Sequence, residues 1–239
     1  MKNNIGLVEH CKRARDEKWG YVQGTYGKRL TETILQDKIK QLGDIVGKHQ
    51  DYVRKHYIGR RTADCVNLPK SYVWWNDTID EPVYTQKYDK LGDTWLSADG
   101  MFKVATVKGT LDSMPELLGI LLWKSGHIGV YIGNGQVIEA KGTRYGVVQT
   151  PLKGTGATKW THWLLYPHIK YETEMDNVEF KDLIINGNKH WAADIIEKAA
   201  KEGITKGIKQ PDGSYIFKPD APITRAETVV LIMRALGKA

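Results

Sequence analysis

Short apolar runs alternate with turn residues after Pro115, and this pattern constrains the fold more than any other feature of the chain. The runs are "LLGILLW", "GHIGVYIG", "QVIEAKG", "GVVQTPL" and "HWLLYPHI", separated mainly by glycine, asparagine and lysine. Asn134-Gly135 stands between two of them, and this dipeptide is the strongest short signal for a tight β-hairpin. The pattern therefore predicts an antiparallel meander that ends near residue 170.

The chain before this meander has helical periodicity. In "TETILQDKIKQLGDIVGKHQDYVRKHY" (31–57), apolar residues recur at three- and four-residue spacing, which predicts helix. A second helix is predicted to start near Cys65 and to run through "LPKSYVWW". Residues 77–116 are polar and rich in turn residues, and we expect them to form a long excursion outside the core. Helices followed by antiparallel strands indicate an α+β domain over residues 1–170.

The last part of the chain has a different character. Residues 171–179 are polar and predict a linker, and residues 180–239 contain two amphipathic helical segments. Thr224 at the start of the second segment, with Glu227 three residues later, predicts a capping box. Two helices in about 60 residues bury little apolar surface, so we expect this small helical unit to associate with a partner or with copies of itself.

Composition excludes several classes of protein. The longest apolar run, "LLGILLW", is far shorter than the ~20 residues of a membrane-spanning helix, so no membrane insertion is expected. The N-terminal stretch has no apolar segment after its first lysine, which predicts synthesis in the cytoplasm without a secretory signal. The two cysteines have no metal-site spacing, so neither a metal nor another cofactor is expected.

The net charge of +7 is carried by the first 170 residues, whereas residues 171–239 are nearly neutral. A basic body is attracted to an anionic polymer such as a bacterial wall. The basic residues are scattered and form no recognisable nucleic-acid motif, so no nucleic-acid partner is expected.

Cys65 is the candidate nucleophile. It follows Asp64 and precedes the apolar run 66–75, where the start of a helix would lower the pKa of its thiol. By position alone, a buried structural cysteine is the more common case. His127 opens one β-run and Glu139 lies on the next, so a hairpin would bring an imidazole and a carboxylate together.

Four motifs in order resemble the NlpC/P60 cysteine peptidases, which cut peptidoglycan stem peptides. They are "YVQGTYG" (21–27), "DCVNL" (64–68), "GHIGVYIGNG" (126–135) and "VIEA" (137–140). The resemblance implies a papain-like fold in which N-terminal helices pack on an antiparallel sheet. Asn67 and Pro69 depart from the family pattern, in which a small residue usually stands at the position of Asn67. Pro69 either fixes the helix start close to Cys65 or disturbs it.

Carried over residue by residue, the resemblance assigns four catalytic positions. Cys65 would be the thiolate nucleophile, and His127 would be the general base and acid. Glu139 would orient the imidazole, and the Tyr21 hydroxyl would lie near the oxyanion together with the backbone N–H of Cys65. Candidate substrate contacts are Asp64 and Trp74, and Trp75, Trp95 and Trp123 are further candidates to line a groove.

The resemblance implies cleavage of the bond between D-glutamate and the diamino acid of the stem peptide. Three alternatives remain open: an N-acetylmuramoyl-L-alanine amidase on the same site, a catalytically inactive wall-binding protein, and an N-acyl transferase on a related fold. Iodoacetamide labelling of Cys65 would separate the enzymes from the inactive protein.

The C-terminal unit resembles a single S-layer homology (SLH) repeat. The matching segments are "FKD" (180–182), "HWA" (190–192), "GITKG" (203–207), "FKP" (217–219) and "ITRAE" (223–227). Such repeats bind anionic secondary cell-wall polymers, and Trp191, Thr224 and Arg225 are the candidate binding residues. The family usually combines three repeats, so a chain with one repeat either binds weakly or completes the arrangement as a homotrimer. Together the two resemblances predict a wall-anchored endolysin of a phage or prophage.

Overall fold

The computed structural model describes residues 2–83, 96–172 and 178–236. The chain divides into two compact units, Met1–Tyr171 and Glu172–Ala239. Trp95 and most of the predicted 171–179 linker lie outside the described residues. None of the helices in the described residues is long and apolar enough to cross a membrane.

The first unit contains six helices and ten strands in its described residues. The helices are α1 (Asn4–Asp16), α2 (Glu32–Leu42), α3 (Asp44–Gly47), α4 (Gln50–Tyr57), α5 (Asn67–Trp74) and α6 (Ala98–Val104). The strands are β1 (Tyr26–Arg29), β2 (Arg61–Ala63), β3 (Trp75–Asn76), β4 (Glu81–Pro82), β5 (Lys108–Thr110), β6 (Leu121–Lys124), β7 (His127–Tyr131), β8 (Gln136–Gly142), β9 (Gly146–Pro151) and β10 (His162–Leu164).

A six-stranded antiparallel sheet in the order β5-β10-β6-β7-β8-β9 forms the centre of this unit, which confirms the predicted α+β class. The hairpin predicted at Asn134-Gly135 joins β7 to β8, with Val130 opposite Ile138. Asn134 and Gly135 have φ angles of 51° and 64°, the left-handed values of a type I′ turn. The tight turn fixes which residues of β7 and β8 lie side by side.

Helices α1 and α5 pack on one face of the sheet. In α1, Leu7, Cys11 and Ala14 recur at helical spacing and form one buried cluster with Ile128 and Ile138 of the sheet. The side chain of Asn3 caps α1 by accepting a 2.8 Å hydrogen bond from the Gly6 N–H. Cys11 is therefore a core residue, and α5 contributes Leu68 and Val73 to the same buried cluster.

The helical segment 31–57 is broken where the sequence predicts continuous periodicity. Gly43 ends α2 with a φ of 54°, a left-handed value that glycine adopts without a Cβ penalty. The chain then continues as the short helices α3 and α4, and Leu35, Val46 and Val53 form a small core of their own. Ile45 is 59% exposed, so its predicted place on the apolar face is wrong.

Part of segment 77–116 belongs to the core, contrary to the predicted excursion. Ala98 and Met101 of α6 are buried in the main cluster, and β5 extends the central sheet beside β10. The sequence did not predict the burial of α6 because its buried residues are few and stand among polar ones. Residues 84–95 of the segment lie outside the described residues.

The second unit is small. It comprises β11 (Ile184–Ile185), β12 (Asn188–Lys189), α7 (Ala193–Lys201), β13 (Ile208–Lys209), β14 (Tyr215–Ile216) and α8 (Arg225–Ala235). Its core consists of Phe180, Leu183 and one face of α7. A Cβ at Gly207 would lie within 3 Å of the Phe180 ring, so this glycine allows the loop to pass over the core. No residue of α8 is buried.

Candidate active site

Cys65 lies between β2 and α5, at the start of the first turn of that helix. The carboxylate of Asp64 accepts a 2.8 Å hydrogen bond from the Asn67 N–H, and its carbonyl accepts one of 3.0 Å from the Leu68 N–H. Asp64 thus accepts hydrogen bonds from the first N–H groups of α5, and Cys65 lies two residues before Asn67, close to the predicted helix start. Pro69 falls in the first turn, where its missing N–H is tolerated.

Asp64 is occupied by contacts within the protein. It is 2% exposed, and its Oδ2 accepts hydrogen bonds from the Gly24 N–H at 2.8 Å and from the Asn67 side chain at 2.9 Å. Asn67, which departs from the family pattern, therefore helps to hold the loop that carries the thiol. The position of Asp64 favours this structural role over the predicted substrate contact.

The thiol of Cys65 lies against the start of β7. Its Sγ is 3.9 Å from the carbonyl oxygen of Gly126, and the backbone N–H groups of Ile128 and Val66 point to it. Gly126 and Ile128 flank His127 in sequence. The fold therefore places the Cys65 thiol against the backbone on both sides of the candidate base, although the two residues are far apart along the chain.

Burial dominates the acidity of this thiol. Burial, followed by the negative charge of Asp64, raises the pKa of Cys65 to about 12, and the nearby N–H groups only partly oppose this. The expectation that the helix start would lower the pKa of the thiol is wrong for the structure. At neutral pH the thiol of Cys65 is therefore protonated.

His127 is oriented by Glu139. The ring Nε2 of His127 lies 2.7 Å from Oε2 of Glu139, which pairs the two residues across the β7–β8 hairpin as the sequence predicts. A carboxylate accepts hydrogen bonds, so Nε2 carries the proton and Nδ1 of the neutral ring retains a lone pair. His127 therefore has a basic nitrogen for the thiol proton.

The Glu139 carboxylate is fully buried and has three further contacts. It accepts hydrogen bonds of 2.8 Å from Thr150 and 2.7 Å from Thr158, and Lys141 lies 3.8 Å away. Burial raises the pKa of Glu139, but hydrogen bonds from His127, Thr158 and Thr150 outweigh it, so its pKa lies below the usual value. Glu139 is ionised at neutral pH and stabilises a protonated imidazole.

Trp160 covers the other side of His127. The two rings stack with their centroids 5.4 Å apart and their planes 9° from parallel. A Cβ at Gly129 would lie 2.8 Å from the Trp160 ring, so this position has to be glycine for the indole to take its place. The stack leaves the imidazole little freedom to rotate away from Glu139.

Tyr21 reaches the same site from the segment before β1. Its hydroxyl donates a 2.7 Å hydrogen bond to Gln23 and lies within hydrogen-bonding reach of the Cys65 side chain. Burial, then the charges of Cys65 and Asp64, raises the pKa of Tyr21 well above its usual range. Tyr21 stays protonated and can donate to an oxyanion that forms beside the thiol.

Several supporting residues were missed from the sequence. Thr150 lies diagonally opposite Glu139, two residues beyond its partner Val148, and could have been found from the strand register. Thr158 and Trp160 come from the loop after β9, which carries no local pattern. Asp99 of α6 accepts a 2.7 Å hydrogen bond from the Gly126 N–H and fixes the turn that precedes His127.

The predicted aromatic groove is largely core. Trp74 is 7% exposed and meets Tyr26 edge to face, so it has little surface left for a substrate. Trp75 is also buried and lies under the guanidinium of Arg61. Trp123 is only half-buried and stacks on the ring of Phe102 at 4.1 Å.

The residues predicted to bind wall polymer lie at two places in the second unit. Thr224 and Glu227 form the predicted capping box, and Arg225 is the first residue of α8. Trp191 is 88% exposed in the turn before α7. Within the described residues, no hydrogen bond or ring contact joins Trp191 to Thr224 or Arg225.

No group of three or more His, Cys, Asp or Glu side chains in the described residues is arranged to hold a metal ion.

Residues 187–229 match the family model of the S-layer homology domain, which confirms the predicted repeat in the second unit. No curated protein matches the chain. Among solved structures, the peptidoglycan hydrolase RipB from Mycobacterium tuberculosis is similar, with 17% identity and a TM-score of 0.34 over 71% of this chain and 68% of that one. The P60 domain of an antigen from M. avium subspecies paratuberculosis is also similar, with 18% identity and a TM-score of 0.33 over 66% and 94%.

Alkylation of Cys65 will follow the raised pKa of its thiol. Because only the thiolate reacts, the rate of labelling by iodoacetamide should rise about tenfold for each pH unit from pH 7 to pH 10. The measurement is the labelled fraction of Cys65 over time, read by peptide mass spectrometry. Cys11 is the internal control: it is fully buried and burial also raises its pKa, so it should stay unlabelled. A labelling rate that stops rising below pH 8 would contradict the raised pKa of Cys65, because it would show that the thiol is already ionised at that pH.

Proposed function

We propose that the first unit is a peptidoglycan hydrolase that cleaves an amide bond of the stem peptide with Cys65 as nucleophile. The observation that supports this most strongly is the position of the thiol at the strand that carries His127, paired with the buried Glu139. Three of the four sequence motifs that resemble NlpC/P60 peptidases contain Cys65, His127 and Glu139, and the fourth contains Tyr21.

The proposed reaction begins with the protonated thiol. As Sγ of Cys65 attacks the carbonyl carbon, its proton moves to Nδ1 of His127, and Glu139 stabilises the imidazolium that forms. The negative charge on the former carbonyl oxygen is met by the Tyr21 hydroxyl and by backbone N–H groups at the start of α5. His127 then protonates the leaving amine, and a thioester remains on Cys65.

Water completes the cycle. His127, now neutral again, takes a proton from water as its oxygen attacks the thioester carbonyl, and the thiol leaves with that proton. The preferred bond is the one between D-glutamate and the diamino acid, and cleavage of the muramoyl–L-alanine amide is the second candidate on the same residues. The basic charge of the first unit favours the anionic wall, which fits the role of an endolysin.

Digestion of purified peptidoglycan tests this proposal. Wild type should release new fragments that end at D-glutamate, Cys65→Ala should release none, and Glu139→Gln should act about 100-fold more slowly because it stabilises the imidazolium less. The fragments are identified by mass spectrometry, and Cys11→Ala serves as a matched cysteine control. Free intact stem peptides would indicate the amidase instead. No new ends from several wall types would leave a wall-binding protein as the better account.

The second unit is proposed to hold the enzyme on an anionic secondary cell-wall polymer. Arg225 stands at the N-terminus of α8, where the helix dipole also favours an anion. The capping box occupies Thr224 and Glu227, and within the described residues the Arg225 guanidinium has no hydrogen bond or ion pair. A carboxylate of the polymer is a suitable partner for this side chain.

Co-sedimentation with wall sacculi measures this contact. Arg225→Gln should weaken binding about tenfold, because it removes a charge-assisted hydrogen bond to the polymer. Arg234→Gln, at the other end of the same helix, is the matched control and should bind as wild type does. Equal binding by both variants would exclude Arg225 from the polymer site.

The exposed face of α8 supports the predicted homotrimer. Val229, Ile232, Met233 and Leu236 recur at helical spacing and are 59%, 53%, 36% and 60% exposed. A continuous apolar stripe on a soluble unit marks a surface that another subunit covers. One repeat per chain would then reach the usual three through association of three chains.

Light scattering will give a mass about three times that of the 27.1 kDa chain. Ile232→Glu places a charge on the stripe and should yield monomers, because burying an unpaired carboxylate in the interface is costly. Lys201→Glu, on the exposed end of α7, is the control and should leave the mass unchanged. A monomeric wild type at working concentration would rule out the trimer.

A further inference from the structure

A cavity of about 260 Å³ opens beside the candidate active site. One wall is formed by α3 and the start of α4, and the other by the segment from Tyr21 to Gln23 and the end of β8 at Gly142 and Thr143. We call it the Tyr21 pocket. Its volume suits a single side arm of a ligand better than a whole ligand.

Tyr21 belongs to both the pocket and the candidate active site. Its hydroxyl lies within hydrogen-bonding reach of Cys65, and its side chain lines the cavity. Tyr21 therefore links the pocket to the candidate nucleophile, although Cys65 itself does not line the cavity.

The two walls are tied to each other. The hydroxyl of Tyr57, at the end of α4, donates a 2.6 Å hydrogen bond to the carbonyl of Thr143. Tyr52 of the same helix donates one of 3.3 Å to the carbonyl of Arg144. These bonds join the helical segment 31–57 to the end of β8, so the cavity is preformed.

The chemistry of the lining is asymmetric. Val22, Val46 and Val53 give it an apolar floor, and Lys48 and His49 contribute basic groups. Among the described residues that line it, none is acidic. The Oε1 atom of Gln23 accepts a hydrogen bond from the Tyr21 hydroxyl, and the amide N–H₂ of Gln23 remains as a further donor.

The charge of Lys48 is not paired with another described residue of the protein. This lysine is exposed, and within the described part of the chain its ammonium group forms neither an ion pair nor a hydrogen bond. His49 precedes α4 without capping it through its side chain. Both groups are thus free to meet a ligand at the edge of the apolar floor.

We propose that the Tyr21 pocket binds a short aliphatic arm of the substrate that ends in a carboxylate. The valine floor would contact the methylene groups, and Lys48, His49 and the Gln23 amide would bind the carboxylate. This inference rests on the proposed function. A stem peptide offers a carboxylate next to methylene groups at two places. One is the α-carboxylate of D-glutamate, which stands on Cα beyond the two methylenes of the γ-linked chain. The other is the carboxylate at the end of the three-methylene side chain of diaminopimelate, beside its ammonium group.

The test compares three N-acetylmuramoyl tripeptides: L-alanyl-D-glutamyl-diaminopimelate, its amide at the α-carboxyl group of D-glutamate, and its amide at the diaminopimelate side chain. Binding is measured by calorimetry on Cys65→Ala protein, which cannot turn the peptides over. Each peptide is titrated with Lys48 present, with Lys48→Gln and with Lys48→Arg. Lys40→Gln, an exposed change of the same charge at the end of α2, is the matched control.

Lys48→Gln should weaken binding of the parent peptide about fivefold, and Lys48→Arg should restore most of it. One of the two amides should bind as weakly as the parent does to Lys48→Gln and should be insensitive to Lys48, which identifies the carboxylate. Equal binding of all three peptides, equal effects of Lys48→Gln and Lys40→Gln, or no binding would overturn the proposal.

Turnover by the protein with Cys65 intact separates this inference from the function it rests on. Peptides that bind in a Lys48-dependent way but are not cut would overturn the hydrolase and keep the pocket. Cleavage at unchanged KM in Lys48→Gln would overturn the pocket and keep the hydrolase.

Discussion

The ionised carboxylate of Glu139, buried in the central sheet, is the constraint on which the candidate active site depends. A buried charge is tolerated only when hydrogen bonds within the protein replace those that water would form with it. For Glu139 these hydrogen bonds come from His127, Thr150 and Thr158. These partners lie on β7, on β9 and in the loop that follows β9. Satisfying one carboxylate therefore fixes the imidazole and the register of three neighbouring strands together.

Local sequence signals predicted the parts of the site that depend on local geometry. Asn134-Gly135 indicated the hairpin that pairs His127 with Glu139, and the predicted helix start near Cys65 lies two residues before the observed start of α5 at Asn67. The acidity of the thiol was not predictable in this way, because it depends on burial under distant segments. Trp160 was missed for a related reason: its contact with His127 crosses a loop without periodicity.

The two units differ in how completely they bury their apolar residues. In the first, the helices close over one face of the sheet and bury Leu7, Ile128 and Ile138 completely. In the second, α8 is well capped by Thr224 and Glu227 but keeps its apolar residues exposed. Capping is a local interaction that the sequence predicts. The surface that covers an apolar helix face cannot be predicted from the periodicity of that helix alone.

The protonated state of Cys65 also affects how the protein ages. Oxidation by peroxide and exchange with disulfides both proceed through the thiolate, which burial and Asp64 disfavour here. The burial that keeps the Cys65 thiol protonated therefore protects it from sulfenic acid formation and mixed disulfides in an oxidising medium.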